Sequence, residues 1–185
     1  MKEKALFLDR DGVVNIEIGY LHRIEDVEFM PGIVPLCRTA MQLGYRLVVV
    51  TNQAGIARGF DSEADFEALM AWMRGELRGQ GVEFDAVYHC PYHPDHGVGE
   101  YRREHEDRKP GTGMLRRAMQ ELGVSLPDSV MVGDRCSDIA AANSAGLRQA
   151  FLITGTEEAV CGGEYIAVER LGEVEQWLFD NEASR

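Results

Sequence analysis

What this sequence does not contain narrows the field before any motif is read. It has no long hydrophobic run near its start: the apolar stretch behind Met1-Lys2-Glu3-Lys4 is only Ala5 to Leu8. That is shorter than a signal-peptide core or a membrane span, so no targeting or anchoring segment is expected. Positive charge is scarce: 19 Lys and Arg face 31 Asp and Glu, a net charge of -12, with no basic stripe to interrupt it. Nucleic acid and anionic membranes are thereby disfavoured as partners, and an anionic small ligand needs a local positive pocket. The four cysteines, Cys37, Cys90, Cys136 and Cys161, are scattered. They lack the dense spacing of a secreted disulfide scaffold, so a reducing cytoplasm is the simplest compartment. Internal repeats and low-complexity linkers are also missing.

What is present reads as one domain. At 185 residues and 45% hydrophobic composition, the chain can bury one substantial core and is too short for two ordinary ones. A single domain spanning 1–185 is expected, as a monomer. Short apolar runs at Ala5–Leu8, Leu47–Val50, Val87–Tyr88, Val130–Val132 and Ala150–Ile153 read as strands buried on both faces. Between them lie helical periods: Ile33, Leu36, Ala40 and Leu43 after Pro31-Gly32, and Phe66, Leu69, Met70, Met73 and Leu77 behind a capping box at Ser62-Glu63-Ala64-Asp65. Further helices follow Pro110, run from about Ser137 to Ala145, and carry Leu171, Val174, Trp177 and Leu178 near the end; the tail from Asp180 to Arg185 is expected to fray. Strict alternation of strand and helix predicts an α/β fold, a parallel sheet flanked by helices on both faces. Two irregular stretches, roughly 12 to 30 and 89 to 111, are long enough to be functional loops.

In open α/β sheets ligands bind beyond the carboxyl ends of strands, so the polar residues just after each apolar run carry the functional signal. These are Asp9-Arg10-Asp11-Gly12, Thr51-Asn52-Gln53 and Gly133-Asp134, with Arg108-Lys109 in the long loop before the third helix. In an extended chain i and i+2 share a side, so Asp9 and Asp11 are expected to face one ligand while Arg10 points elsewhere. One carboxylate could attack while the other moves protons. Asp9, Asp11 and Asp134 together suit a magnesium ion, with Asp138 supporting from behind; Asp134 alone would be an ordinary helix N-cap. Thr51 suits a phosphoryl oxygen, and Lys109, held extended by Pro110, offers a point charge.

In order, Asp9-Arg10-Asp11-Gly12, Thr51-Asn52, Lys109-Pro110 and Gly133-Asp134 with Asp138 resemble the four motifs of the haloacid-dehalogenase-like phosphatases, over nearly the whole chain. The resemblance implies a Rossmann-like, three-layer fold and a magnesium-dependent phosphatase without a large cap domain. It further implies Asp9 as nucleophile, Asp11 as general acid and base, and Thr51 and Lys109 as holders of the phosphoryl group. Within the superfamily, Glu17-Ile18-Gly19-Tyr20, Gln53 to Gly59, Cys90-Pro91 and Arg108-Lys109-Pro110 are similar to the heptose-bisphosphate phosphatase branch, with the histidinol-phosphate phosphatases as relatives. Glu17, Tyr20, Asn52, Gln53, Arg58 and Arg108 would then contact substrate, and the two arginines suit a second phosphate. A non-catalytic binding module of the same fold is the reading from a different class; against it stands a complete set of catalytic positions.

One departure concerns zinc. The family's Cys-x-His and later Cys-x-Cys read here as Cys90, Tyr92, His105 and Asp107. A rearranged site of Cys90, His93, His105 and Asp107 is chemically conceivable, but its spacing is irregular, so zinc is expected to be absent.

Overall fold

The computed structural model of the chain describes residues 3–155 and 160–182. Its strands are β1 (Lys4–Leu8), β2 (Tyr45–Asn52), β3 (Ala86–Cys90), β4 (Val130–Gly133), β5 (Gln149–Ile153) and β6 (Ile166–Val168), paired in parallel in the order β3-β2-β1-β4-β5-β6. The helices are α1 (Ile33–Gln42), α2 (Ala54–Arg58), α3 (Glu63–Gly79), α4 (Gly113–Leu122), α5 (Cys136–Ala145) and α6 (Leu171–Glu182).

Because successive strand residues point to opposite faces, each apolar run feeds two cores at once. Leu6 and Leu8 join Leu47, Val49, Val130, Val132 and Phe151 beneath α1, α3 and α6. Ala5 and Phe7 join Val48, Val50, Met131, Ala150 and Leu152 beneath α4 and α5. The expected three-layer, Rossmann-like architecture is the one observed. Local signals agree with it: Ser62 and Asp65 exchange hydrogen bonds in a capping box that starts α3.

Three details differ from expectation. β6 is only three residues long at the sheet edge, and α2 a single short turn; neither is long enough to show a period. The end of α6 does not fray at Asp180, because the helix continues to Glu182, whose carboxylate accepts hydrogen bonds from Lys4, Tyr45 and Arg148; residues 183–185 lie outside the described residues. Two of the scattered cysteines are joined, since a disulfide links Cys136 at the start of α5 to Cys161 beyond β5, while Cys37 and Cys90 are buried and free.

The two long connections hold only 3-10 turns, at Ile24–Asp26 and Gly99–Tyr101, besides isolated bridges. No helix among the described residues is long and apolar enough to cross a membrane.

Candidate active site

The strand order reverses at β1, which has β2 on one side and β4 on the other, and the two best-placed carboxylates emerge there. Asp9 follows β1, and its backbone N–H donates to the Val132 carbonyl at 3.0 Å, so the ladder carries it one residue past the strand. Asp134 follows β4 and sits against Gly12, where an added Cβ would come within 2.4 Å of Asp134 Oδ2; Gly12 also has φ 82°. Only glycine serves both needs. Gly133 does the same for Asp138: a Cβ there would lie 2.2 Å from the Asp138 Cβ. Asp9, Asp134 and Asp138 thus bring carboxylate oxygens within 4.8 Å of one another.

Lys109 reaches this group from the loop before α4. Its peptide bond to Pro110 is cis, and its backbone is clamped on both sides by Asn52, whose Nδ2 donates to the Lys109 carbonyl and whose Oδ1 accepts from the Lys109 N–H, each at 3.0 Å. The ammonium lies 2.9 Å from Asp9 Oδ1 and 2.6 Å from Asp138 Oδ1, and donates to the Val50 carbonyl at 2.8 Å. Burial opposes its charge, but Asp138 and Asp9 outweigh burial and raise its pKa. One ammonium cannot balance three carboxylates. Burial, together with Asp138, Asp134 and Asp11, pushes Asp9 up to about 8 despite Lys109, and burial and Asp138 push Asp134 up to about 6. Arg135 Nε stands 4.0 Å from Asp134 Oδ2, while Asp134 Oδ1 is buried with no hydrogen-bond partner among the described residues. An all-oxygen donor set still short of positive charge, with an orphaned carboxylate oxygen, fits a hard divalent cation.

Sequence spacing placed Asp11 in this cation site, and the structure corrects that for its side chain. The i, i+2 rule holds only while the chain stays extended, and here it turns after Asp9: the Arg10 carbonyl accepts from the N–H groups of Val14 and Asn15. The Asp11 carboxylate therefore faces Arg10 Nε (3.0 Å) and Nη2 (2.8 Å), Asn15 Nδ2 (3.0 Å) and Gln53 Nε2 (3.3 Å). Asp138 takes the third place. Arg10, expected to point away, is folded back and buried. Gln53 Nε2 also donates to Thr51 Oγ1 at 2.8 Å, which ties the end of β2 to Asp11.

Above these groups opens a cleft of about 420 Å³ whose lining includes Asp9, Asp11, Thr51, Gln53, Lys109 and Asp138. Three arginines, Arg58, Arg108 and Arg135, and His93 also line it, so cations stand beside its carboxylates in a protein of net charge -12. Glu17 lines it too and pairs with Arg135 at 3.2 Å. Tyr20 stands at the rim, edge-to-face with Phe60 at 4.8 Å and 5.9 Å from the Arg58 guanidinium. Asn52 is the exception among the expected substrate contacts: both its side-chain polar atoms are committed to the Lys109 backbone, so it positions that lysine.

Cys90, His93, His105 and Asp107 do not converge. His93 lines the main cleft, whereas His105 and Asp107 line a separate cavity behind Tyr92. Among the described residues, no group of three or more ligand-type side chains meets there, and the Asp9–Asp134–Asp138 group is the one that forms. The loop is filled instead by rings: Tyr92 packs against a tilted His105 ring at 4.6 Å and lies beneath the Arg103 guanidinium at 3.9 Å.

Sequence reading missed Arg135, Ser137, Asp61 and Phe60 near this cleft. Arg135 and Ser137 were findable, since they follow Asp134 at a strand end. Asp61 and Phe60 were not, because they belong to the turn that closes α2.

Residues 107–167 match the HAD-hydrolase-like family model. The chain is 48% identical over 153 residues to a D-glycero-alpha-D-manno-heptose-1,7-bisphosphate 7-phosphatase of Burkholderia mallei, covering 83% of this chain and 81% of that one. It is 42% identical over 167 residues to the D-glycero-beta-D-manno-heptose-1,7-bisphosphate 7-phosphatase of Vibrio cholerae, covering 90% of each. Among solved structures it resembles a HAD-like phosphatase from Mesorhizobium loti, with a TM-score of 0.88 at 36% identity over 98% of this chain and 87% of that one. It also resembles the D,D-heptose 1,7-bisphosphate phosphatase of B. bronchiseptica complexed with magnesium and phosphate, with a TM-score of 0.79 at 29% identity over 96% and 99%.

Proposed function

The chain belongs to the D-glycero-D-manno-heptose-1,7-bisphosphate 7-phosphatase family of haloacid-dehalogenase-like enzymes, and from that premise we propose how its residues remove the 7-phosphate of that sugar bisphosphate. It is a phosphoric monoester hydrolase, and its place is in the synthesis of nucleotide-activated heptose. The observation that carries the residue assignment is the Asp9–Asp134–Asp138 group around Lys109, opening into a cleft ringed by arginines.

Asp9 is the nucleophile. Arg10 N–H and Lys109 Nζ both contact Oδ1, which leaves Oδ2 for attack on phosphorus. As the bond from phosphorus to the sugar oxygen breaks, Asp11 donates a proton to that oxygen. In the second half it takes a proton from the water that attacks the aspartyl-phosphate, and the Asp9 carboxylate is regenerated. Lys109 and Thr51 hold equatorial oxygens of the phosphoryl group. A magnesium ion held by Asp9, Asp134 and Asp138 would neutralise phosphoryl oxygens and keep Asp9 anionic. Arg58 and Arg108 receive the second phosphate, and Glu17, Tyr20 and Gln53 meet the sugar. The acidic balance supports a monomer without nucleic-acid partners, and the divergent ligand loop supports an enzyme without structural zinc; one zinc per chain in unchelated protein would overturn the last point.

The test is kcat/KM, with magnesium, for the heptose bisphosphate and for histidinol phosphate on one preparation, with the phosphate released identified by position. Strong preference for the heptose and loss of its 7-phosphate are expected. Preference for histidinol phosphate would overturn the substrate, and full activity in Asp9→Asn would overturn the covalent route.

A further inference from the structure

Arg10 is among the largest fully buried side chains, 1% exposed, and the phosphatase chemistry above gives its side chain nothing to do. A guanidinium taken wholly out of water is not explained by stability, since an apolar side chain of similar volume commonly serves a core as well or better. Here it is not even fully satisfied: Nη1 has no hydrogen-bond partner among the described residues. What arginine offers that no other residue does is a planar fork that fixes the plane of a carboxylate with two parallel bonds.

That fork lies on Asp11, through Nε to Oδ1 at 3.0 Å and Nη2 to Oδ2 at 2.8 Å. Asn15 Nδ2 approaches the same Oδ1 at 3.0 Å and Gln53 Nε2 the same Oδ2 at 3.3 Å, so donors from three residues hold one carboxylate. Arg10 is in turn held by its neighbours. Nη2 lies 3.4 Å from the Leu21 carbonyl, in the loop that forms the mouth of the cleft, and the guanidinium carbon lies 5.5 Å from the Phe66 ring on α3.

We propose that Arg10 is a positioning residue for the reaction, its buried guanidinium fixing the plane and direction of the Asp11 carboxylate and referencing both to the mouth loop and α3. This rests on the reading of Asp11 as proton donor and acceptor. Every contact on Asp11 is an N–H donor, which suits its role as acceptor of the proton from the attacking water; that transfer tolerates little misplacement, so the loss on removing the fork falls on turnover and leaves substrate binding nearly intact.

The test compares the parent with Arg10→Gln, Arg10→Lys, Asp11→Asn and the Arg10→Gln/Asp11→Asn double variant, each checked for folding by circular dichroism, in steady state on the heptose bisphosphate. An aryl phosphate serves in its place where the sugar is not turned over. Arg10→Gln is expected to lower kcat about 100-fold with KM within about threefold. Arg10→Lys, which keeps a cation and loses the fork, should fall about tenfold. In the Asp11→Asn background Arg10→Gln should cost less than about threefold more, because the group it positions is already gone. A folded Arg10 variant with kcat at the parent level, or losses that multiply in the double variant, overturns the proposal. Where Arg10→Gln does not fold, Arg10→Lys decides by the same kcat criterion. Activity surviving Asp9→Asn would instead sink the covalent reading, so the two failures are told apart.

Discussion

At the amino ends of the strands, Glu182 accepts from Lys4 Nζ at 2.5 Å, Tyr45 OH at 2.7 Å and Arg148 Nη1 at 2.5 Å; at the carboxyl ends, Lys109 sits among Asp9, Asp134 and Asp138. Both are clusters of carboxylate and cation on the same sheet, but the ratios are inverted. Two cations and a hydroxyl converge on one carboxylate at the first site, and burial, which opposes the charge of Glu182, is outweighed by those three hydrogen bonds, so its pKa is lowered. Three carboxylates crowd around one buried ammonium at the second, with Arg135 only at 4.0 Å from Asp134, and burial with mutual repulsion raises Asp9 to about 8. A buried polar cluster that satisfies itself secures the fold, whereas one left electrostatically incomplete is waiting for something to complete it.

The largest expected effect that separates the two ends is chemical. Asp9→Asn should lower phosphate release by about 1,000-fold or more while its melting temperature holds or rises, because an uncharged amide suits a crowded, buried site that already disfavours the Asp9 carboxylate. Lys109→Ala should fail on both counts, losing activity and about 3 kcal/mol in urea titration, since it strands Asp9 and Asp138 without their cation. Glu182→Ala should do the converse, costing about 2 kcal/mol of stability with kcat unchanged.

A pH series sharpens the contrast, because the two ends have opposite signs. Glu182 has its folded pKa below the unfolded 4.5, so its stabilisation is present above that value and is lost as pH falls through the lowered folded pKa. Asp9 is raised from 3.8 to about 8, so the native state holds a proton that the unfolded chain has released; metal-free protein should lose stability as pH climbs between those values. Thermal melts with and without magnesium check this. The gain on adding the ion should be larger at pH 8 than at pH 5, since binding needs the carboxylates deprotonated. An equal gain at both would mean that the ion binds elsewhere.

How much of this could be read from residues alone follows the same division. Five strands were legible because parallel strands buried on both faces are unbroken apolar runs, and glycines such as Gly123 and Gly146, in left-handed caps, marked where α4 and α5 stop. Asp9, Thr51 and Asp134 stood out because strand ends are where an α/β sheet places its chemistry, and Lys109 because Pro110 follows it in a long loop. Asp138 was underrated as a supporting residue, because a carboxylate in the first turn of a helix normally serves the helix; it does so here through the Arg135 N–H at 3.0 Å, with its other oxygen on Lys109. The directions of Arg10 and Asp11 were misjudged because the turn after Asp9 depends on hydrogen bonds that no spacing rule encodes. The role of Asn52 was hidden too, since it is satisfied by a backbone 57 positions away.

The bridge between Cys136 and Cys161 spans 25 residues of sequence, and α5 and β5 lie between its ends. A peptide bond cut anywhere inside that span leaves both pieces covalently joined, so a nicked chain runs as two fragments only after reduction. More than bookkeeping for a gel, this means that β6 and α6 cannot diffuse away from the body they pack on. Their rebinding stays intramolecular, at the high effective concentration of a tethered segment. The last strand and helix are thus insured twice, once by the continuous chain and once by sulfur.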